Sequence, residues 1–234
     1  MSPKYIKLDT KGEWAFPIYH TTLKDPVYPI SMNGTTYQVR IPKGATPMGG
    51  ADGALISKDK AAGVSFSLFQ AKFNNGVWTV GGMSRTRLSS NWLDRSLGGS
   101  RHNFGHRGVP VPTMAIYKKD IVNGVIRHAV EVHWFETSDT HVYPMSGGES
   151  GHTGIVPEGY FLRLKSNPAT NKLVKALKPR ARIVARALQT YGGMIGDNAG
   201  GDKVTIKVQR GAHVLSGKGL HSIKIGHYDF VRIR

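Results

Sequence analysis

Cysteine is absent from the 234 residues. Its absence excludes disulfides, zinc–thiolate sites, iron–sulfur clusters and a cysteine nucleophile, and leaves the compartment unreadable from redox chemistry. Acid is scarce: 15 Asp and Glu stand against 32 Lys and Arg, a formal charge of +17 with 10 histidines left neutral, and the pI is near 10.1. No run approaches the roughly 18 apolar residues of a membrane span, so none is expected. Met1-Ser2-Pro3-Lys4-Tyr5-Ile6-Lys7 lacks the apolar core of a cleaved export signal. Neither a long internal repeat nor a low-complexity tract occurs. A content of 29 Gly and 12 Pro argues against a helical bundle, and 9% aromatics argue against a disordered basic tail. A globular, basic, mainly β protein survives these exclusions.

Alternation is the dominant pattern in what remains. Val64, Phe66 and Leu68 share one face of a strand, with Ser65 and Ser67 on the other. Tyr37, Val39 and Ile41 repeat it, as do His128, Val130, Val132 and Trp134 against Ala129, Glu131 and His133. Tyr160, Leu162 and Leu164 follow, then Val204, Ile206 and Val208, and a closing strand holds Tyr228, Phe230, Val231 and Ile233. Asn33-Gly34, Asn74-Asn75-Gly76 and Asn123-Gly124 are hairpin signals between them. About ten to twelve strands at this spacing predict a single β-sandwich or jelly roll over 1–234. One amphipathic helix is expected at about 179–191, with Pro179 in its first turn and Gly192 beyond its end. A Pro-rich N-terminal arm (about 1–31) and a long basic loop (about 82–112) complete the outline.

The loop holds Arg85, Arg87, Arg95, Arg101 and Arg107 with His102 and His106 against the single acid Asp94, and Trp92 and Phe104 lie among them. Guanidinium forks match carboxylate and phosphate, and aromatic faces stack on sugars or bases. Arg85, Arg87, Trp92, Arg101, His102, His106 and Arg107 are therefore the expected contacts to an anionic glycan. Elimination on a polyuronate needs a carboxylate neutraliser and a Tyr or His base, a role open to His102, His106, His128, Tyr117 and Lys119. Neither His102 with His106, nor His133 with His141, nor Asp197, Asn198 and Asp202 have proper ligand spacing, so no metal and no cofactor are expected. Glu131, Glu136, Glu149 and Glu158 are the obvious glutamates, and no spacing singles out two of them for glycoside hydrolysis. Ser146-Gly147-Gly148-Glu149-Ser150-Gly151 lacks the Gly-Lys-Ser/Thr of a phosphate loop and reads as a flexible hairpin tip.

Three blocks carry a family resemblance. They are Ile121-Val122-Asn123-Gly124-Val125-Ile126-Arg127-His128-Ala129-Val130; Tyr143-Pro144 with Ile155-Val156-Pro157-Glu158-Gly159-Tyr160-Phe161-Leu162-Arg163-Leu164; and Ala185-Arg186-Ala187-Leu188-Gln189-Thr190-Tyr191-Gly192-Gly193-Met194-Ile195-Gly196-Asp197-Asn198-Ala199-Gly200. Together they resemble a β-sandwich family of actinobacterial secreted proteins and actinobacteriophage minor tail proteins, distantly similar to jelly-roll alginate and glucuronan lyases. The likeness covers about 50–200 and leaves out the arginine-rich loop. It implies a jelly-roll-like sandwich in a virion or extracellular setting, and no established catalytic residues. The missing export signal favours the phage branch. The expected function is thus a virion structural protein of the minor tail or tail tip, assembled in the host cytoplasm. Its partners would be other virion proteins or its own copies, with anionic cell-wall polysaccharide as a further ligand. The alternatives are a polysaccharide lyase acting on polyuronates and, from charge alone, non-specific nucleic-acid binding.

Overall fold

A computed structural model describes residues 5–9, 15–89, 107–109, 111–201, 203–212 and 220–233. Within them the chain is mainly β, in several sheets, with no closed barrel. Its first half runs β1 (Tyr5–Asp9), β2 (Ile18–Thr21), β3 (Val27–Met32), β4 (Thr35–Arg40), β5 (Leu55–Asp59), β6 (Val64–Phe69), β7 (Lys72–Asn74), β8 (Val77–Thr79) and β9 (Gly82–Arg87). Then come α1 (Val111–Met114), α2 (Lys118–Val122), β10 (Val130–Trp134), β11 (Thr137–His141), β12 (Val156–Glu158) and β13 (Phe161–Leu164). The chain ends with α3 (Pro168–Ala176), α4 (Pro179–Thr190), β14 (Gly193–Asn198), β15 (Lys203–Lys207) and β16 (Tyr228–Val231). The one domain expected over 1–234 divides by its contacts into two compact units. Unit 1 takes Met1–Lys11 and Met114–Arg234, and unit 2 takes Gly12–Thr113.

Unit 2 is a four-stranded sheet in the order β2-β5-β6-β9, with two hairpins, β3–β4 and β7–β8. Both hairpin turns keep the backbone left-handed at their two central residues. Asn33 and Gly34 have φ of 50° and 76°, and Asn75 and Gly76 have 49° and 84°. Such turns match the twist of the flanking strands, which is why Asn-Gly selects them. Ile30, Val39, Ile41, Leu55, Phe66, Leu68, Trp78 and Met83 form one buried cluster that joins both hairpins to the sheet. Trp78 meets Tyr28 edge-on at 6.4 Å between centroids and Phe73 at 5.0 Å. The Pro-rich arm expected over 1–31 is instead three strands, β1 to β3. Pro29 is tolerated opposite Gln38 because β3 pairs on one side only, where a missing N–H disrupts no second ladder. The long loop likewise begins later than expected, since residues 82–87 are paired with β6 as β9.

Unit 1 is built on a six-stranded mixed sheet, β1-β15-β10-β14-β13-β16. The pairs β1 with β15 and β10 with β14 are parallel. The expected helix forms as α4, with Pro179 in its first turn and Gly192 beyond its end at φ +75°. Its buried residues are Ala181, Val184, Ala185, Ala187 and Leu188. Gly193 lets this helix approach the sheet: a Cβ there would lie 2.5 Å from Val132 Cγ2 and 3.1 Å from Leu188 Cδ2. Leu188 and the Val130 and Val132 side chains therefore meet on one face of β10. Glu131 and His133 project from the other.

A single helix is corrected to four. The second substantial one, α3, buries only Thr170 and Val174 along its length, so its apolar stripe is too thin to read from the sequence. Its start is set by Asn167, whose side chain accepts a hydrogen bond from the Thr170 N–H at 2.9 Å, with Pro168 next in the first turn. Asn167→Ala should lower stability by about 1 kcal/mol, read as a shift in the denaturant midpoint; an unchanged midpoint would show that the cap contributes nothing. Asn123-Gly124, expected as a hairpin turn, instead ends α2. Gly124 takes φ +72°, and its N–H and that of Val125 donate to the Ile121 and Asp120 carbonyls. Among the described residues no helix is long and apolar enough to cross a membrane.

Candidate functional site: a carboxylate–imidazole cluster

The residues expected to carry function fall in three places. Trp92, Arg101, His102 and His106 lie outside the described residues. Arg85 and Arg87 stand on β9; the Arg85 guanidinium sits 4.8 Å above the Tyr37 ring, and Arg87 is exposed at the end of the strand. Arg107 occupies a turn with φ of 47°.

Tyr117, Lys119 and His128 come together around Asp120. The Tyr117 N–H donates to Asp120 Oδ2 at 2.8 Å, His128 Nε2 lies 3.3 Å from the same oxygen, and Lys119 Nζ is 5.4 Å from the Tyr117 ring centroid. Burial, and then the Asp120 charge, push the Tyr117 phenol well above its usual range. A phenol so raised keeps its proton at neutral pH and is a poor candidate for the base of an elimination. Asp120 holds this group together at the start of α2.

A denser constellation forms where no spacing pointed. β10 is central in its sheet, and all five of its residues are buried, Glu131 and His133 included. Its pairing with β14 slips between Val132 and His133. Val132 faces Ile195, yet His133 faces Asp197, so Gly196 is the extra residue. A bulge of this kind re-aims the side chains beyond it, and here it places Asp197 opposite His133. On the other side β15 runs antiparallel, with His133 opposite Thr205. Lys207 consequently falls beside Glu131 and is buried with it.

The remaining members come from residues 136–158. β11 and β12 pair in parallel, Thr137 with Val156 and His141 with Glu158. The Gly159 N–H donates to the Ile195 carbonyl at 2.7 Å, which brings the end of β12 against β14. Between β11 and β12 the chain is tied by side chains: Asp139 accepts from the His152 N–H at 2.6 Å, and Glu136 from the Thr153 N–H at 3.2 Å. His152 Nε2 lies 3.0 Å from Glu149 Oε2, and its Nδ1 lies 3.1 Å from Asn198 Nδ2. The segment expected as a flexible tip thus supplies a charged residue, Glu149, to an ordered network.

Four of the chain's five glutamates, with Asp139, Asp197, His133 and His152, therefore occupy one region of unit 1. The carboxylates of Glu149, Glu158 and Asp197 each place a ligand oxygen within 4.8 Å of the others, and Glu158 is wholly buried. Glu131 Oε1 meets His133 Nε2 at 2.9 Å, while His133 Nδ1 lies 3.7 Å from Asp197 Oδ2. Burial pushes the Glu131 carboxyl up to about 8; Lys207 pulls it down and Asp197 raises it further. Partial desolvation lowers the His152 imidazole, but Glu149 and then Glu136 outweigh it and hold it above its usual value. The cluster can carry protons near neutral pH, and its three convergent carboxylates offer hard oxygen donors to a cation. Glu131, His133, Glu136, Glu149, His152, Glu158 and Lys207 were not foreseen as one site. The legible signal was the concentration of four glutamates within 131–158 of an otherwise acid-poor chain. No family model, curated protein or solved structure matches this chain.

Proposed function

We propose that the protein is a virion structural protein of the minor tail or tail-tip type, packing against neighbouring subunits and meeting an anionic host-surface glycan. The observation that supports an anionic partner is where the acids are. With six of the 15 gathered in the cluster of unit 1, only nine are left against 32 Lys and Arg over the whole chain. A surface so depleted of acid attracts polyanions and steers them from a distance. The three-block resemblance adds the tail setting, and an extracellular setting is the alternative. A sandwich packing is supported within unit 2, where two hairpins and a sheet share one buried cluster.

Of the arginines proposed for glycan contact, Arg85 is engaged over Tyr37, so Arg87 on the same strand and Arg101 are the ones to test. Arg87→Ala combined with Arg101→Ala should lower retention on an anionic cell-wall polysaccharide at least fivefold in a pull-down at physiological salt. Equal retention would remove that face from the account. Oligomeric mass tests the other half: a monomer at every concentration, associating with no particle, would sink the structural reading.

A polyuronate lyase is the second reading, favoured by the proton-carrying Glu131 beside His133. An unsaturated uronate product, detected by its ultraviolet absorbance on alginate, glucuronan or hyaluronan, would support it. No product from any of the three would end it.

A further inference from the structure

We propose that Glu149, Glu158 and Asp197 bind one divalent cation of the calcium class. Two oxygens that each sit roughly 2.4 Å from a common calcium ion can be up to about 4.8 Å apart. The three carboxylates place their ligand atoms within that span of one another. Magnesium holds its oxygens at about 2.0–2.1 Å and tolerates a narrower spread. All three first donors are carboxylate oxygens, the chemistry that selects a hard cation over zinc or copper.

A gathering of acids is not enough by itself, and a second observation comes from the strand beneath. Glu131 is nine-tenths buried or more, and its carboxylate runs along β10 toward His133 and Asp197, giving Oε1 to His133 Nε2. Its other oxygen, Oε2, is buried with no hydrogen-bond partner. A buried polar atom without a partner is rare in a folded protein and marks a place where a proton, a water or an ion completes the structure. Glu158 is completely buried beside two further carboxylates, and carboxylates withdrawn from water together call for compensating positive charge. His133 pairs with Glu131 and Asp197, and His152 with Glu136 and Glu149. An imidazole is a cation only while protonated, whereas a bound metal supplies its charge at any pH.

The three ligands come from separate stretches: Glu149 from the segment between β11 and β12, Glu158 from the end of β12, and Asp197 from β14 beyond its bulge. Bound calcium would fasten that segment to the sheet. His133 stands behind Asp197 as a positioning residue, 3.7 Å away, and Glu131 orients His133 in turn.

The test uses the full chain stripped with a chelator and titrated with calcium chloride by calorimetry, with the thermal midpoint followed in parallel. One calcium per chain and a raised midpoint are expected. Glu149→Gln, at a partly exposed position, and Asp197→Asn should each weaken binding at least tenfold. Asp139→Asn, which removes a nearby charge yet keeps an acceptor for the His152 N–H, should bind as the parent does. No saturable heat in the parent would overturn the proposal. So would an Asp139→Asn loss as large as that of Glu149→Gln, which would mean a diffuse negative field, or magnesium binding as tightly as calcium.

Discussion

Gly159→Ala should lower the unfolding free energy by on the order of 4 kcal/mol, combining left-handed strain with forced overpacking. Gly159 has φ of +97°, a conformation closed to most L residues. A Cβ would also overlap the Val142 carbonyl oxygen and lie 3.0 Å from Val142 Cγ2. Nothing can yield, because the backbone is held on both sides: the Val142 N–H donates to the Glu158 carbonyl at 2.8 Å and the Gly159 N–H to that of Ile195 at 2.7 Å. Gly34→Ala supplies the control, since Gly34 has φ of +76° but no atom within 4 Å of the added carbon. It should cost about 1 kcal/mol. Denaturant melts of both variants decide the matter, and equal losses would mean that the close approach of Val142 contributes nothing.

The second large effect is a pH dependence that runs against the usual acid denaturation. Burial raises the Glu131 carboxyl from an ordinary 4.5 to about 8. The folded state therefore keeps a proton that the unfolded state releases. Stability from this group is fully present below about 4.5 and is lost as pH rises toward 8, because the folded state binds more protons across that window. A tenfold difference in proton affinity between the two states is worth about 1.4 kcal/mol, so the loss is on the order of 4 kcal/mol. Lys207, His133 and Asp197 face the same carboxyl and set the details. Glu131→Gln imitates the protonated form and should flatten the slope, with little change at pH 5 and a gain at pH 9. Denaturant midpoints of parent and variant at pH 5, 7 and 9 test it. Parallel curves would show that Glu131 does not titrate differently in the two states.

The strands were legible wherever one face of a strand meets a core. Phe66 and Leu68 are buried as alternation requires, and Asn33-Gly34 turns a hairpin because only left-handed residues fit there. α4 was legible for the same reason, since one stripe of it packs and the rest does not. β10 was not. Alternation assigned Glu131 and His133 to an outward face, but a central strand of a sheet covered on both sides has no outward face. What covers these two residues comes from 136–158 and from Asp197, and the register of Asp197 depends on a bulge at Gly196 that no local pattern announces. The Asn-Gly pair at 123–124 misled differently, because a left-handed glycine serves a helix end as well as a hairpin.

β1 has a consequence for the order in which the chain acquires structure. Tyr5 pairs with Lys203 and Asp9 with Lys207, so an edge of the larger sheet joins the two ends of the sequence. Everything from Gly12 to Thr113, the smaller unit entire, is spliced between β1 and the rest of unit 1. During synthesis the smaller unit can close its core while most of its host is still untranslated. β1 must wait nearly 200 residues for β15, and it spends that interval as an unpaired strand. A ribosome stalled shortly after Thr113 would thus carry one finished body and one orphaned edge. That edge is the segment most in need of protection during synthesis.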